Sequence, residues 1–300
     1  MTPLIILEKT HDKIIVRDYC ETPEGTLWQE RVYFRDNPEV LRPSNWVKDM
    51  ERDFEIYLKY FFPDPSSCDD KNIQEQKKEI GDWGIVGACI GYPGIHDLYI
   101  GIIDGGLERA IRVYYQHHDL VKKYAKVYED WAIEYTRRLI EAQPDFILTG
   151  ASGTLVFNSP RIFRELGLPT QKRITRMAKE AGVPTMLHSC GREYELVEIC
   201  AKETDLDCIN PLEPPPSGDC DLAEVKQRFG SRLSLMGNLH TSLVTLGTPA
   251  EIRREAKRAI DAAKEGGGFI LSTGDECGPN TPEENIYEIV KVARTYGRYK

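Results

Sequence analysis

Apolar residues along this chain recur with two periods, one typical of strands and one typical of helices. From residue 83 onward, short apolar runs alternate with longer amphipathic segments. The runs predict six buried strands, near residues 84–89, 145–149, 184–188, 206–210, 233–237 and 268–272. Because strand–helix–strand units build parallel sheets, this alternation predicts an α/β fold of the (β/α)8 TIM-barrel type. An open doubly wound sheet is the rival, but no Gly-x-Gly-x-x-Gly turn follows any of the strands.

The pattern before residue 83 is different. Two β-rich runs, 13–19 and 26–34, flank a turn at residues 22–25 and predict an antiparallel ribbon. Helical spacing follows over residues 45–62, and a short polar helix is predicted over 71–81. We therefore expect a single domain over 1–300, with a β-ribbon (1–35), a helical segment (36–82) and βα units (83–300).

Composition excludes several classes of function. The chain has 300 residues and a formal net charge of −9, with a pI near 5.3, so a nucleic-acid partner is not expected. No uninterrupted apolar run is long enough to cross a membrane, and the amino terminus lacks the positive region of a signal peptide. A cytoplasmic location is the expectation. Eight scattered cysteines without a CxxC pair predict neither a disulfide framework nor a zinc ribbon.

Two metal-binding residue types follow the third predicted strand. Side chains on a strand alternate between faces, so His188 and Cys190 are expected to point the same way at its carboxyl end. Zinc takes nitrogen and sulfur ligands of this kind, and the active sites of TIM barrels lie at the carboxyl ends of the strands. Further polar or thiol residues follow the other strand ends, namely Asn210, Glu213, Asn238, His240, Asp275, Glu276 and Cys277.

Several stretches, in order over most of the chain, resemble the uroporphyrinogen decarboxylase superfamily, a group of (β/α)8 barrels. They are Thr22-Pro-Glu-Gly-Thr-Leu27, Ser159-Pro-Arg-Ile-Phe163, His188-Ser-Cys-Gly191, Ile209-Asn-Pro-Leu-Glu-Pro-Pro-Pro216, Met236-Gly-Asn-Leu239 and Thr281-Pro-Glu-Glu-Asn-Ile286. The decarboxylases of that superfamily carry an arginine-rich amino-terminal segment, which this chain lacks. Its zinc-dependent corrinoid methyltransferase branch carries a His-x-Cys pair and a third, distant cysteine, which His188, Cys190 and Cys277 resemble.

The resemblance implies an enzyme that moves a methyl group between a small methylated substrate and a corrinoid or corrinoid protein. The substrate would be of the methyl ether, methanol, methylamine or thiol type, as in demethylase-type members. Zn²⁺ and a corrinoid, carried by a partner protein, are the implied cofactors. Two alternatives are a tetrapyrrole lyase like uroporphyrinogen decarboxylase, and a truncated barrel that binds a corrinoid or a partner without catalysis.

The third metal ligand departs from the branch pattern. Counting back from Thr281-Pro282, the usual cysteine position is occupied by Asp275, and the cysteine is Cys277. Period two places both on one face if the strand continues, so either residue is a candidate.

Most of the remaining candidate residues have both a functional and a purely structural interpretation. Glu213 is a base or a further ligand, or a solvated or capping residue. His240 orients substrate or caps the next segment. Asn210 is assigned to the catalytic group, and Asn238 and Tyr92 are assigned to cofactor binding. Tyr92 begins a run to Ile103 that either walls the pocket or simply packs.

The resemblance also implies that the first two barrel strands are missing or replaced, since relatives hold them ahead of the Thr22–Leu27 turn. The gap would be left open, filled by residues 1–35 or covered by another chain. An uncovered strand edge pairs readily with other chains, so a homo-oligomer is expected.

Overall fold

The computed structural model describes residues 4–37, 39–67, 70–150 and 152–299. Its contacts divide the chain into two compact units, one formed by Met1–Ser67 with Pro93–Trp131 and the other by Cys68–Tyr92 with Ala132–Lys300. The single domain predicted from the sequence stays a prediction. No helix among the described residues combines the length and the apolar character that a membrane crossing requires.

The first unit contains a four-stranded antiparallel sheet in the order β1 (Leu4–Lys9), β2 (Lys13–Thr22), β3 (Gly25–Phe34) and β4 (Val40–Ser44). Strands β2 and β3 form the predicted ribbon, paired from Lys13↔Phe34 to Thr22↔Gly25 around a two-residue loop. Strands β1 and β4 lie at the edges of this sheet. The ribbon is therefore a sheet of its own, with β4 inside the segment that was predicted to be helical.

The predicted helix over 45–62 is wrong in its first half, because the helix runs only from Asp53 to Tyr60. The side-chain amide of Asn45 donates to the carbonyls of Tyr99 and Ile103. The Asp53 carboxylate accepts the backbone N–H groups of Lys48 and Asp49. These side chains satisfy polar groups that a helix would otherwise pair, and so favour a looped segment.

Other helices of the first unit are Ile95–Asp97, continued by a π-helical turn at Leu98–Ile102, then Gly106–Gln116 and the start of His118–Glu141. The predicted helical region 107–143 is therefore present but broken at His117. Aromatic side chains pack together in this unit, with Phe62 in ring contact with Tyr124, Tyr128 and Trp131.

The second unit contains the six parallel strands that the sequence predicts, and with their intervening helices they form a TIM-barrel-like α/β fold. The strands pair in chain order as β5 (Gly87–Ile90), β6 (Phe146–Gly150), β7 (Thr185–His188), β8 (Cys208–Asn210), β9 (Ser234–Leu239) and β10 (Phe269–Thr273). The helices of this unit are Asp70–Ile80, the end of His118–Glu141, Thr154–Phe157, Pro160–Leu166, Leu168–Glu180, Tyr194–Glu203, Leu222–Phe229, Thr241–Leu246, Pro249–Ala263 and Glu283–Thr295.

The first parallel strand is shorter than predicted. The run from residue 83 forms a strand only over Gly87–Ile90, and the side chains of Trp83 and Ile85 are 96% and 68% exposed. A 3₁₀ turn covers Gly81–Trp83. The Asp145 carboxylate accepts a hydrogen bond from the Val86 N–H. Trp83 and Ile85 therefore lie outside the core, whereas Val86, directly before the strand, is buried.

The two faces of the parallel sheet differ in burial. Ile147, Leu187, Ile209 and Leu235 have no exposed surface. The last three pack with helix residues in one apolar cluster that includes Leu196, Val225 and Ile252. Neighbouring residues on the same strands, such as Leu148, Met186, Asn210 and Met236, are only half-buried. The sheet is therefore sealed by helices on one face, and the other face is left for the functional side chains.

Strand β10 lies at one edge of this sheet, and its first residue is capped by a side chain. The Tyr299 hydroxyl accepts the N–H of Phe269 at 3.0 Å and donates to its carbonyl at 2.9 Å. This cap covers one edge position, while the next residue, Ile270, remains 50% exposed. The homo-oligomer expected from an uncovered edge stays a prediction.

Candidate functional site

Strand β7 and the two residues after it carry the predicted metal-binding pair. Burial alternates from Thr185 to Cys190. Thr185, Leu187 and Ser189 are buried, and Met186, His188 and Cys190 are half-buried. This alternation continues the strand pattern beyond the last paired residue, and it agrees with the prediction that His188 and Cys190 share one face. Both lie at the carboxyl end of the sheet, where active sites of this fold occur.

Negative charge surrounds the Cys190 thiol. Burial raises its pKa, and the carboxylate of Asp275 raises it further, as does that of Glu213 to a smaller extent. Hydrogen bonds with Ser152 and the Gly153 backbone lower it, without reversing the shift. The thiol, which follows β7, and Asp275, which follows β10, therefore interact although 85 residues separate them in sequence.

The two candidates for the third ligand differ in their surroundings. Asp275 is half-buried, and its Oδ1 accepts the N–H of Glu276 at 2.8 Å. Cys277 packs against the apolar core; burial raises its pKa, and a hydrogen bond with Thr273 lowers it. Of these two residues, Asp275 is the one whose charge acts on Cys190.

Asn210 and Glu213 follow strand β8, beside His188. Asn210 pairs in register with His188, and its side-chain oxygen is buried without a hydrogen-bond partner among the described residues. Glu213 is 7% exposed, and its Oε2 accepts the N–H of Gly191 at 2.5 Å. Glu213 is thus fixed to the turn that follows Cys190.

Two predicted residues after β9 have structural partners. Asn238 is 1% exposed and donates to the Leu212 carbonyl at 3.1 Å. His240 caps the helix Thr241–Leu246, because its Nδ1 accepts the N–H of Ser242. Its Nε2 lies 3.3 Å from the Ser217 hydroxyl. The capping interpretation of His240 therefore describes its contacts.

Tyr92 lies in the core rather than on a surface. Its side chain has no exposed area, its hydroxyl is 2.5 Å from the Thr154 hydroxyl, and its ring packs against Phe163. A direct contact with a bound corrinoid would require this core to open. Of the two interpretations from the sequence, packing is the one that these contacts support.

The donors at these strand ends fit zinc in their chemistry. Imidazole, thiol and carboxylate are ordinary zinc ligands, and the anions around Cys190 would be offset by a cation. An imidazole that binds metal usually donates its other N–H to an oxygen, and the unpartnered Asn210 oxygen beside His188 suits that role. Within the described ranges, however, no three His, Cys, Asp or Glu side chains are close enough together to form a metal-binding group.

Sequence reasoning missed Glu193, which is fully buried and follows Cys190 by three positions. It lies next to exposed Arg192 at the start of a helix, where a glutamate is usually solvated, so no local pattern distinguishes it. Only contacts with residues after the next strand identify it.

Comparison with known proteins identifies the family to which this chain belongs. The profile of the family described as Uroporphyrinogen decarboxylase (URO-D) matches residues 86–296. A methylcobamide:CoM methyltransferase, MtaA, of Methanosarcina barkeri is 30% identical over 182 residues, which is 59% of this chain and 50% of that protein. A uroporphyrinogen decarboxylase of Azoarcus sp. (strain BH72) is 25% identical over 194 residues, or 61% of this chain and 50% of that protein.

A solved structure described as a methyltransferase from Methanosarcina mazei shares the fold, with a TM-score of 0.62 at 18% identity. The alignment covers 87% of this chain and 74% of that chain. The chain spans about half the length of the curated relatives named above. Since the family profile covers the whole parallel sheet and every candidate ligand, this chain belongs to the uroporphyrinogen decarboxylase (URO-D) family.

Proposed function

We propose that this protein is a zinc-dependent methyltransferase that moves a methyl group between a small methylated substrate and a corrinoid or corrinoid protein. The observation that carries the proposal is the His188–Cys190 pair on one face of β7, with the Asp275 carboxylate acting on the thiol. The methylcobamide:CoM methyltransferases among its relatives support the same class of reaction.

His188, Cys190 and Asp275 would hold the zinc, with Cys277 as the alternative to Asp275. When bound, zinc supplies Lewis acidity toward a thiol sulfur or an ether oxygen. The chain's own contribution is to hold the ligands. Strand β7 fixes the direction of His188, and the buried hydroxyl of Ser189 accepts the N–H of Thr154 at 3.1 Å, which anchors the strand end.

Glu213 has two roles in this proposal. Its Oε2 holds the Gly191 N–H, which fixes the turn directly after Cys190. Its charge also raises the pKa of the Cys190 thiol, and in this proposal it accepts the proton of a thiol substrate. The half-buried, partly apolar face with Leu148 and Met186 would receive the methyl-bearing group.

Metal analysis of the purified protein tests the first half of the proposal. We expect about one zinc per chain, lost in His188→Ala and Cys190→Ser and reduced in Asp275→Asn. Cys89→Ser is the matched control, because Cys89 is an exposed thiol on β5, two strands away from Cys190. Zinc that is absent, or that stays in the His188→Ala protein, would contradict the site.

Methyl transfer tests the second half. Free cob(I)alamin is mixed with a panel of methyl ethers, methanol, methylamines and methyl thioethers, and its visible absorption is followed. We expect methylcobalamin to form with one class of donor, and Cys190→Ser to abolish its formation. Decarboxylation of uroporphyrinogen without zinc would favour the lyase, and corrinoid binding without transfer would favour the non-catalytic alternative.

A further inference from the structure

Three carboxylates tie together the segments that follow strands β7 and β8. Glu213, after β8, accepts the Gly191 N–H after β7. In the opposite direction, Glu193 Oε2 accepts the Leu212 N–H at 2.6 Å. The Asp219 carboxylate then accepts the N–H groups of Glu193 and Tyr194, at 2.9 and 3.0 Å. We call Glu193, Glu213 and Asp219 the carboxylate clasp.

Leu212 is the pivot of the clasp. Its φ is +60°, a left-handed conformation that a leucine rarely adopts. Both of its backbone polar groups are held by side chains, because Glu193 accepts its N–H and Asn238 donates to its carbonyl. Leu212 has no exposed surface. These two buried contacts impose a conformation that the residue would not otherwise prefer.

The conformation of Leu212 sets the direction of the next residue, Glu213. Glu213 reaches back across the two strands to Gly191, the residue directly after Cys190. A chain of contacts thus runs from Glu193 through Leu212 and Glu213 to Gly191. Glu193 is fully buried, so it acts through this chain and not by touching a ligand in the site.

We propose that Glu193 is a positioning residue, which holds Leu212 in its left-handed conformation and so directs Glu213 onto the turn beside Cys190. Its meaning for catalysis rests on the proposed function, but the positioning itself does not. Burial, with the neighbouring carboxylates of Glu213 and Asp219, raises the pKa of Glu193. Glutamine keeps an oxygen that can accept the Leu212 N–H, so Glu193→Gln is the conservative variant.

Hydrogen exchange at the Gly191 amide tests this proposal in the full-length, metal-free protein. In Glu193→Ala we expect the Gly191 amide to exchange about tenfold faster or more, because Glu213 no longer caps it. In Glu193→Gln exchange should stay near that of the original protein, since the glutamine carbonyl also accepts the Leu212 N–H. Glu213→Gln tests directly the last contact of the chain, between Glu213 and the Gly191 N–H.

Asp207→Ala is the matched control. Asp207 also bridges β7 and β8, but at their amino ends, where its carboxylate accepts the N–H and hydroxyl of Thr185. We expect Asp207→Ala to leave Gly191 exchange unchanged. The proposal would be overturned if Glu193→Ala left hydrogen exchange at the Gly191 amide unchanged. It would also be overturned if Asp207→Ala accelerated that exchange equally, because the effect would then be a general loss of structure at these strands.

Zinc retention supplies a second readout. Glu193→Ala should release zinc faster to a chelator than Glu193→Gln does, by a factor of about 10 or more. If the protein holds no zinc, the proposed function fails, and the exchange experiment still decides the role of Glu193. If zinc is present but the two variants retain it equally, the catalytic meaning of the positioning fails.

Discussion

His188 and Asn210 stand side by side at the carboxyl ends of neighbouring strands, and the buried side-chain oxygen of Asn210 has no hydrogen-bond donor among the described residues. An acceptor in this place suits the N–H of a metal-binding imidazole. We predict that Asn210→Ala lowers zinc affinity by about 10–100-fold, measured by competition with a chelator. Asn285→Ala is the control, because it removes another buried amide that binds the carbonyls of Val244 and Gly247. Equal zinc affinity in both variants would contradict the orienting role of Asn210.

The effect of the Asp275 carboxylate on Cys190 predicts how reactive that thiol is. In metal-free protein, burial and then Asp275 raise the pKa of Cys190, because a nearby anion disfavours the thiolate. Asp275→Asn should therefore lower that pKa and speed alkylation of Cys190 at neutral pH by several-fold. The rate is measured by mass spectrometry of the peptide that contains Cys190, over a range of pH.

Glu276→Gln is the control for this experiment, since Glu276 is exposed and does not contribute to the shift at Cys190. If Asp275→Asn leaves the pH midpoint of alkylation where it was, Asp275 does not act on the thiol. Cys277 would then be the better candidate for the third ligand.

Tyr92→Phe separates packing from cofactor binding. Removing the hydroxyl that contacts Thr154 should lower the free energy of unfolding by about 1 kcal/mol, measured with a chemical denaturant. Affinity for cobalamin should not change, because Tyr92 has no exposed surface. Lower cobalamin affinity with unaltered stability would restore the cofactor-binding interpretation.

Lys48, in the first unit, is predicted to be an unusually reactive amine. Burial lowers its pKa to about 8, and Asp104 and Asp53 oppose that shift only in part. At pH 8 about half of Lys48 is then unprotonated, against roughly 0.3% of an ordinary lysine. Trace acetylation followed by peptide mass spectrometry should give a midpoint near pH 8.

The same shift affects stability. A lysine with a lowered pKa in the folded state favours folding above its unfolded pKa, and that contribution is lost as the pH falls through about 8. Lys59 is the control for the labelling, because its hydrogen bond with Glu24 raises its pKa. Equal labelling midpoints for the two lysines would contradict the prediction.

Sequence reasoning located the parallel strands because each is a short apolar run bounded by turn residues. The amphipathic segments between these runs form helices, such as Pro249–Ala263, where Thr248 and Glu251 form a capping box. The segment 45–52 could not be predicted, since Asn45 meets its partners Tyr99 and Ile103 only in the folded chain. Helices as short as Thr154–Phe157 leave too few residues for a period to show.

The residues of the candidate site likewise fall into those that could be predicted from the sequence and those that could not. His188, Cys190 and Asp275 were predicted as candidates because a parallel sheet brings the carboxyl ends of its strands to one edge. Glu193 and the structural contacts of Asn238 were not found. Both residues contact the backbone of Leu212, and no sequence pattern around Leu212 predicts its left-handed conformation. The candidate ligands were visible in the sequence, whereas the side-chain contacts with the backbone of Leu212 were not.

The alternation along β7 has a consequence for engineering. Thr185, Leu187 and Ser189 support the sheet, while Met186, His188 and Cys190 face away from the helices that seal it. Under the proposed function, substrate range and thermal stability would depend on different positions of these six residues. A library that varies Met186 alone would then test new methyl donors while the supporting positions are kept constant.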